Sequence, residues 1–332
     1  TAARRRPAFT NSIAHTNPHT LLPAVRAYLQ QPDARRPRLN KLHRLEPPGP
    51  VDYAGAGRPS KGACSPAWTQ WEQTLQTASL PGWLRPRQRA GLIRLGRDCD
   101  GGYVVCRDDV ATADLLLSLG LGNDWSFEKA FLAINPVALE VYDRSVDGRH
   151  YLQLWRTTVR AMLCGRASAR AMLGAALRWL RYEMFFRRNR VHRTLFVDGS
   201  DASESVSMGA VLERIRARRI FLKMDIEGGE YEALDVLVAE RERFTGLVIE
   251  FHDCEHRLPT IQRFVQALGM PVVHVHANNH SDIAAPGGIA EVIEVTFSRE
   301  ADAQAATGPY PTGLDRPNHP AREEIAIEFV DG

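Results

Sequence analysis

Short apolar segments alternate with helical patterns along most of the chain, and this alternation limits the architecture more than any other feature. Helical patterns run over Val206–Arg216, Glu230–Arg243 and Pro259–Leu268. Strands that alternate with helices form mostly parallel sheets with helices on both faces. The sequence therefore predicts an α/β fold with a doubly wound, mostly parallel sheet of seven strands. The predicted strands are Leu115–Leu119, Ala138–Tyr142, Thr194–Val197, Ile220–Met224, Leu247–Phe251, Val272–Val275 and Val292–Phe297.

One long segment, Arg149–Asn189, interrupts this alternation before the third predicted strand. Its apolar residues recur at helical spacing, and the positions between them hold many arginines and the single acid Glu183. The pattern predicts a basic helical insertion at about 149–190. Two roles remain open for it: a helical pair packed on the sheet with a solvated basic face, or a lid or platform that meets an anionic substrate or a membrane surface.

Residues 1–62 differ in composition from the rest of the chain. They are rich in proline, arginine, glycine and alanine, and only a short stretch has the apolar spacing of a helix. Such a segment buries too little apolar surface to offset the entropy that is lost when a chain becomes ordered. We therefore predict a disordered or stem-like arm over 1–62 and one folded domain over 63–332.

The charge and the cysteine pattern limit the class of protein. A net charge of +3 is too small to indicate nucleic-acid binding, so no nucleic-acid partner is expected. The five cysteines are scattered, with no CxxC pair and no zinc-ligand spacing. No run approaches the roughly 18 apolar residues that span a bilayer. We expect a soluble domain, in the cytoplasm or, if an upstream anchor has been removed, in the secretory-pathway lumen; the oligomeric state stays open.

A glycine pair, Gly120 and Gly122, follows the first predicted strand. Glycines at the carboxyl end of a parallel strand let the backbone approach a ligand closely. Asp143 ends the second predicted strand, 21 residues beyond Gly122, close to the spacing of about 20 residues at which a carboxylate binds ribose hydroxyls. Together these residues predict a site for a cofactor that contains adenosine.

Trp125 argues against a dinucleotide cofactor. A dinucleotide-binding loop would carry a third glycine at this position, where the helix start receives the pyrophosphate. An indole is too bulky for that contact. The loop therefore favours S-adenosylmethionine, which has no pyrophosphate, and it disfavours an NAD-dependent oxidoreductase.

The segment Phe221–Glu230, which reads FLKMDIEGGE, carries a more specific pattern. It resembles the K-x-D-x-E-G-x-E signature of FkbM-like methyltransferases. Further blocks resemble that family in the expected order, and the likeness covers about 200 residues, roughly 92–297. These blocks are Arg94–Gly96 with Asp100–Tyr103, Ser118–Phe127, Ile249–His252 and His276–Asn279.

The resemblance implies a class I methyltransferase (Rossmann-like) domain that uses S-adenosylmethionine, usually to methylate an oxygen of a sugar or another hydroxylated molecule. By this resemblance, Gly120 and Gly122 line the cofactor loop, and Asp143 binds the ribose. Ser118 departs from the pattern, because many class I enzymes have an acid at that position. The other residues expected near the cofactor are Asp100, Gly101, Tyr103 and, beside the adenine, Asp201.

The candidate catalytic residues are Asp225, Glu227 and His252, at the ends of the fourth and fifth predicted strands. An acceptor hydroxyl must lose its proton, and a carboxylate, or an imidazole that titrates near neutral pH, can take it. The structural alternative is helix capping and an ion pair with Lys223 for the acids, and a hydrogen-bonded histidine. Two carboxylates on one loop could hold a divalent metal, but no third ligand is evident and no metal site is predicted.

His276, Asn278 and Asn279 follow in the next strand and loop, and we predict that they bind the acceptor, since amides donate hydrogen bonds to hydroxyl groups. The leading hypothesis is an S-adenosylmethionine-dependent O-methyltransferase that acts on a hydroxylated small molecule or glycan. Ser118 leaves room for an alternative of another class, a catalytically inactive adenosine-binding scaffold domain.

Overall fold

The fold is described by a computed structural model over residues 76–200, 203–281, 283 and 287–330 of the 332-residue chain. The predicted arm over 1–62, the domain boundary at 63 and Asp201 lie outside the described residues, so the statements about them remain predictions.

Helices and strands alternate along the described residues. The strands are β1 (Thr77–Pro81), β2 (Leu92–Leu95), β3 (Tyr103–Cys106), β4 (Leu115–Leu119), β5 (Ala138–Tyr142), β6 (Arg190–Arg193), β7 (Phe196–Val197), β8 (Ser205–Val206), β9 (Ile220–Met224), β10 (Phe244–Phe251), β11 (Val272–Ala277), β12 (Ile293–Ser298) and β13 (Ala326–Val330). The α-helices are α1 (Arg107–Thr112), α2 (Ser126–Ile134), α3 (Gly148–Leu163), α4 (Ala169–Phe185), α5 (Met208–Arg214), α6 (Leu234–Ala239) and α7 (Cys254–Leu268). Short 3₁₀ helices lie at Gly82–Leu84, Glu230–Glu232 and Arg241–Arg243.

Seven strands form one sheet in the order β11–β12–β10–β9–β4–β5–β6. Neighbouring strands pair in parallel except at β12, which is antiparallel to both β10 and β11. This order confirms the predicted doubly wound, mostly parallel seven-stranded sheet of the class I methyltransferase (Rossmann-like) architecture. Three two-stranded pairs accompany it: β1 with β13, β2 with β3, and β7 with β8.

Side chains of the central strands alternate between two apolar cores, one on each face of the sheet. In β9, Ile220, Leu222 and Met224 belong to the core that includes residues of α5, α6 and α7, whereas Phe221 belongs to the core that includes residues of α1 and α2. Successive residues of a strand point to opposite faces, so a strand that is apolar throughout builds a three-layer fold. Lys223 shares the face of Phe221, at the carboxyl end of the strand.

The third strand of the sheet is Arg190–Arg193, and the predicted strand at Thr194–Val197 was wrong. The observed strand pairs in parallel with Leu139–Tyr142 and lies at the edge of the sheet. An edge strand has one partner and one open side, so a polar sequence is tolerated there. The more apolar Phe196–Val197 pairs instead with Ser205–Val206.

The predicted helical insertion is confirmed as two helices, α3 and α4, joined by a short turn. Asp147 and Ser168 cap their first turns, accepting hydrogen bonds from the backbone N–H groups of His150 and Ala171. Within the described ranges, no helix is both long and apolar enough to cross a membrane.

The strand order reverses beside β4, since the chain runs from β4 to β5 on one side and reaches β9 on the other. Ligands of open α/β sheets bind outside the carboxyl ends of the strands at such a point. Gly120 follows β4, Asp143 follows β5 and Asp225 follows β9. The topology therefore brings three predicted site residues to one edge of the sheet.

Candidate functional site

The backbone after β4 passes directly against the backbone after β9. Gly120 has a φ of +77°, and a Cβ added to it would lie 1.6 Å from the carbonyl oxygen of Asp225. Asp225 N donates to the Leu119 carbonyl oxygen at 3.0 Å, and Lys223 Nζ donates to the Gly120 carbonyl oxygen. Both the left-handed conformation and the close approach require glycine at position 120.

The Asp143 carboxylate binds the backbone of the loop that follows β4, residues 120–123, which is called the glycine loop below. Its Oδ2 accepts from Leu121 N at 2.8 Å and from Gly122 N at 2.6 Å. Its Oδ1 accepts from both N and Oγ of Ser145 at 2.6 Å. A carboxylate has about four acceptor positions, so all four are in use. Asp143 therefore fixes the glycine loop in addition to lining the cavity beside it.

A buried acid on α2, Glu128, lies against Ser118, where many class I enzymes carry an acid on the strand itself. Ser118 Oγ donates to Glu128 Oε1 at 2.6 Å. Burial raises the pKa of the Glu128 carboxyl, and the charge of Lys223 opposes this shift. Glu128 is not among the site residues predicted from the sequence. Its signal was an acid in the first turn after the glycine loop, three residues before Phe131 and so on the same apolar helix face.

A cavity of about 490 Å³ opens at this edge of the sheet, within the range of roughly 300–1,000 Å³ that small-molecule sites occupy. One wall is apolar and consists of Leu195, Phe196 and Val197. The predicted site residues that line the cavity are Asp100, Gly101, Gly120, Gly122, Asp143, Asp225 and Glu227. The structure therefore brings together most of the predicted cofactor residues and two of the three catalytic candidates.

Acids outnumber bases in the cavity wall. The acids are Asp100, Asp124, Glu128, Asp143, Asp225 and Glu227, and the bases are Arg97, Arg178 and Lys223. A wall with this excess of acids attracts a cationic ligand and opposes the close approach of a pyrophosphate. The charge of the site thus supports the same choice of cofactor as Trp125 does in the sequence.

Lys223 is a buried cation among carboxylates. Its Nζ lies 3.5 Å from Asp225 Oδ2. Burial alone would lower the pKa of Lys223, but the charges of neighbouring carboxylates, above all Asp225, outweigh burial and raise it. The ammonium group therefore stays charged and holds the strand ends of β4 and β9 together.

Tyr103 links Asp225 to the buried Glu250 beneath the cavity. Its hydroxyl donates to Asp225 Oδ2 at 3.0 Å and lies 3.2 Å from Glu250 Oε2. Burial, followed by the charge of Asp225, raises the pKa of Glu250 well above its usual range. Burial also raises the pKa of Tyr103 well above its usual range. The Tyr103 hydroxyl thus holds the Asp225 carboxylate in place by a hydrogen bond. The predicted contact of Tyr103 with the cofactor stays a prediction.

His252 follows β10 and is held on one side by the fully buried Glu230. Glu230 Oε1 accepts from His252 N at 2.8 Å and lies 3.3 Å from Nδ1. The Nε2 atom lies 3.6 Å from Glu227 Oε2 and 3.6 Å from Glu250 Oε1. Burial alone would lower the pKa of His252, but the hydrogen bond to Glu230 and the surrounding carboxylates raise it. The imidazole is thus oriented with Nε2 toward the acids beside the cavity.

Asp225, Glu227 and His252 could together hold a divalent cation. Each offers a ligand atom, and these atoms lie within 4.8 Å of one another. Two carboxylates and one imidazole suit several divalent metals. His252 is the third ligand that was not evident in the sequence. It lies 25 residues beyond Glu227, and only the parallel pairing of β9 with β10 brings the two residues together.

The three predicted substrate-binding residues are buried and bind other parts of the chain. His276 lies 3.3 Å from both Glu294 and Glu324. Burial alone would lower the pKa of His276, but these carboxylates, Glu294 first, raise it to about 10. Asn278 donates to Glu250, and Asn279 donates to carbonyl oxygens of the C-terminal segment. None of the three is in the wall of the described cavity, and their role toward an acceptor stays a prediction.

Trp125 packs against the two helices α3 and α4. It is absent from the wall of the described cavity. Its ring packs edge-on against Tyr151 and Tyr182, with 5.9 Å between ring centroids in each case. It also stacks with Phe185 at 6.3 Å. The indole that disfavours a dinucleotide therefore also attaches α3 and α4 to the start of α2.

No protein-family model matches the chain, and no curated protein sequence matches it. Among solved structures it is similar to Methanococcus jannaschii fibrillarin, a pre-rRNA processing protein (10% identity, 58% of this chain, 70% of that chain, TM-score 0.30). It is also similar to a precorrin-6y C5,15-methyltransferase from Geobacter metallireducens (13% identity, 58% of this chain, 85% of that chain, TM-score 0.31). A third similar structure is an rRNA methylase from Streptococcus thermophilus (13% identity, 58% of this chain, 92% of that chain, TM-score 0.30). Likeness at this level concerns the fold and assigns no activity or substrate to this chain.

These similarities correct one expectation, the absence of a nucleic-acid partner. Two of the three similar proteins are named for pre-rRNA processing or rRNA methylation, so the exclusion was wrong. Its physical weakness is that a net charge averages over the whole chain. Segment 149–190 alone contains ten arginines, and a local cluster of this kind sets the surface potential that a partner meets.

Proposed function

We propose that the chain is an S-adenosylmethionine-dependent O-methyltransferase of the FkbM-like kind, acting on a hydroxylated small molecule or glycan. The observation that carries the proposal is the Asp143 carboxylate bound to the glycine loop, at the point where the strand order reverses. The signature block supports it, because Lys223 and Asp225 lie in the cavity wall and Glu230 orients His252.

The residues present fit an adenosine with a cationic side chain. The apolar wall of Leu195, Phe196 and Val197 suits a purine, and the excess of acids suits a sulfonium and its ammonium group. Of the four donors to Asp143, the Ser145 hydroxyl belongs to an exposed side chain that can rotate, so a ribose hydroxyl can take its place. Gly122, with no atom within 4 Å of an added Cβ, leaves the space open.

When bound, S-adenosylmethionine supplies an activated methyl group. Asp225 is held in place by Tyr103 and Lys223, so it can accept a hydrogen bond from the acceptor hydroxyl and orient its oxygen. His252 is the general base of this proposal, because Glu230 engages Nδ1 and leaves Nε2 to receive the proton. Glu227, exposed at the mouth of the cavity, is suited to contact the acceptor.

The wild-type chain is expected to bind S-adenosylhomocysteine, and Asp143→Ala to abolish that binding. Alanine leaves the N–H groups of Leu121 and Gly122 without their acceptor, so the loop loses its conformation. Calorimetric titration measures both. Asp114→Ala is the matched control, since Asp114 pairs with Arg219 on the surface away from the cavity, and it should bind as the wild type does.

A radiolabelled methyl-transfer screen against glycans and hydroxylated metabolites, with and without a chelator, tests the reaction itself. Label on a hydroxyl group supports the proposal. Loss of label with chelator would assign His252, with Asp225 and Glu227, to a metal and would exclude it as the general base. Binding of S-adenosylhomocysteine with no transfer to any acceptor would favour the inactive scaffold domain. Failure of the wild type to bind S-adenosylhomocysteine would refute the proposal.

The pH dependence of methyl transfer should reflect the raised pKa of His252. A base acts only when unprotonated, so the rate should fall as the pH drops through this pKa, and the acid limb should lie above the ordinary imidazole value of about 6.5. Glu230→Gln removes the charge that raises the pKa and should shift the limb to lower pH. His252→Gln should reduce the rate by about 10²–10⁴ while S-adenosylhomocysteine binding is kept. A limb that Glu230→Gln leaves in place would exclude His252 as the base.

A further inference from the structure

Helix α4 exposes a row of large apolar side chains to solvent. Leu173, Leu177, Leu180 and Met184 are 55%, 41%, 41% and 64% exposed. Their spacing of four, three and four residues places them on one face of the helix, where they form a continuous stripe. Contiguous exposed apolar surface on a folded protein usually marks a contact with a partner or a membrane.

The stripe is not needed to attach α4 to the domain. Tyr182 and Phe185 are buried on the other side of the helix, and both pack against Trp125. At about 100° per residue, Tyr182 lies nearly opposite the stripe on the helix surface. Helix α4 is therefore apolar on two faces, and the fold uses one of them.

Positive charge borders the stripe along one side. Segment 149–190 contains ten arginines against one acid, Glu183. Arg170 lies three residues before Leu173, and Arg181 lies four residues after Leu177, so both exposed guanidinium groups lie along one side of the stripe on the helix surface. An apolar row bordered by arginines is the pattern of a helix that lies in the plane of an anionic membrane surface.

We propose that α4 docks on an anionic lipid bilayer, with Leu173, Leu177, Leu180 and Met184 inserted among the acyl chains and with Arg170 and Arg181 on the headgroups. A second copy of the chain would bring two arginine-rich faces together, which like-charge repulsion opposes. The first 75 residues carry eleven basic and four acidic residues, so they too lack the complementary charge. A bilayer with acidic headgroups supplies both the apolar interior and the negative charge.

The docked helix also borders the candidate site. Arg178, on the same helix, lines the cavity and donates to the carbonyl oxygen of Asn123 in the glycine loop. Docking therefore brings the cavity close to the bilayer surface. The inference concerns binding alone and does not depend on the proposed methyl transfer.

Vesicle co-sedimentation of the full chain tests the inference, with phosphatidylcholine vesicles and with vesicles of phosphatidylcholine and phosphatidylserine. The chain should bind the anionic vesicles and dissociate as salt is raised. The double variant Leu173→Ser, Leu177→Ser should weaken binding by about tenfold or more, since two leucines no longer leave water. Arg170→Gln should weaken it by about fivefold, as expected for one arginine near an anionic surface.

Leu314→Ser is the matched control, because Leu314 is a leucine that is 37% exposed outside the helix pair. It should bind vesicles as the wild type does, and the melting temperatures of all variants should match. Three results would overturn the inference: the double variant binds like the wild type, the chain binds a polyuridylate oligomer in preference to vesicles, or the stripe holds a dimer that the double variant separates into monomers.

Discussion

Replacement of Gly120 by alanine is expected to lower the free energy of unfolding by about 3 kcal/mol or more and to abolish binding of S-adenosylhomocysteine. The added Cβ would lie 1.6 Å from the Asp225 carbonyl oxygen, so the loops after β4 and β9 must separate. Separation breaks the contact between Lys223 and Gly120 and displaces Asp225. Chemical denaturation measures the stability loss, which corresponds to a fall of about 5–10 °C in melting temperature.

Gly91→Ala separates the close approach from the backbone conformation. Gly91 has a φ of +75°, nearly that of Gly120, but no atom lies within 4 Å of the position of its Cβ. It should therefore show only the strain of alanine in the left-handed region, about 1 kcal/mol, and should leave ligand binding intact. Equal losses in the two variants would mean that the contact between the two loops contributes nothing beyond strain.

The central strands could be predicted from the sequence because burial on both faces makes each one a mainly apolar run. β4, β5 and β9 have the predicted bounds, and β10 begins three residues earlier than predicted. β6 could not be predicted, since its sequence, Arg-Val-His-Arg, has no apolar pattern and is a strand only because β5 offers it a partner. Tertiary pairing overrides local pattern at a sheet edge.

Part of the candidate site could also be read from the sequence, namely the residues that directly follow a strand. Gly120, Asp143 and Asp225 lie where parallel strands end, and the topology alone brings them together. Contacts between distant segments had no local signal. Tyr103 reaches Asp225 across 122 positions, and the C-terminal segment covers Asn279 through partners some 40 positions away. Such contacts depend on side-chain packing that no periodicity encodes.

Lys223→Met is expected to lower the free energy of unfolding by about 3–5 kcal/mol at neutral pH, the usual result of removing one partner from a buried ion pair. Lys223 is the cation beside Asp225, Glu128 and Glu250, all of which bear on its pKa. Methionine keeps the volume and removes the charge, so these carboxyls must share a low-dielectric site without it. The variant should also lose S-adenosylhomocysteine binding, because the Gly120 carbonyl oxygen loses its donor.

Two comparisons identify charge as the cause of this loss. Lys129→Met changes the exposed lysine of α2 in the same way and should alter stability by less than about 0.5 kcal/mol. Adding Glu250→Gln to Lys223→Met removes one of the unpaired acids and should recover part of the loss, giving a coupling energy in a double-mutant cycle. The deficit of Lys223→Met should also shrink as the pH falls, since carboxyls without their cation have a raised pKa and are neutralised by protons. A variant that is as stable as the wild type at neutral pH would mean that these acids already carry their own protons and that the ammonium group is not what holds β4 and β9 together.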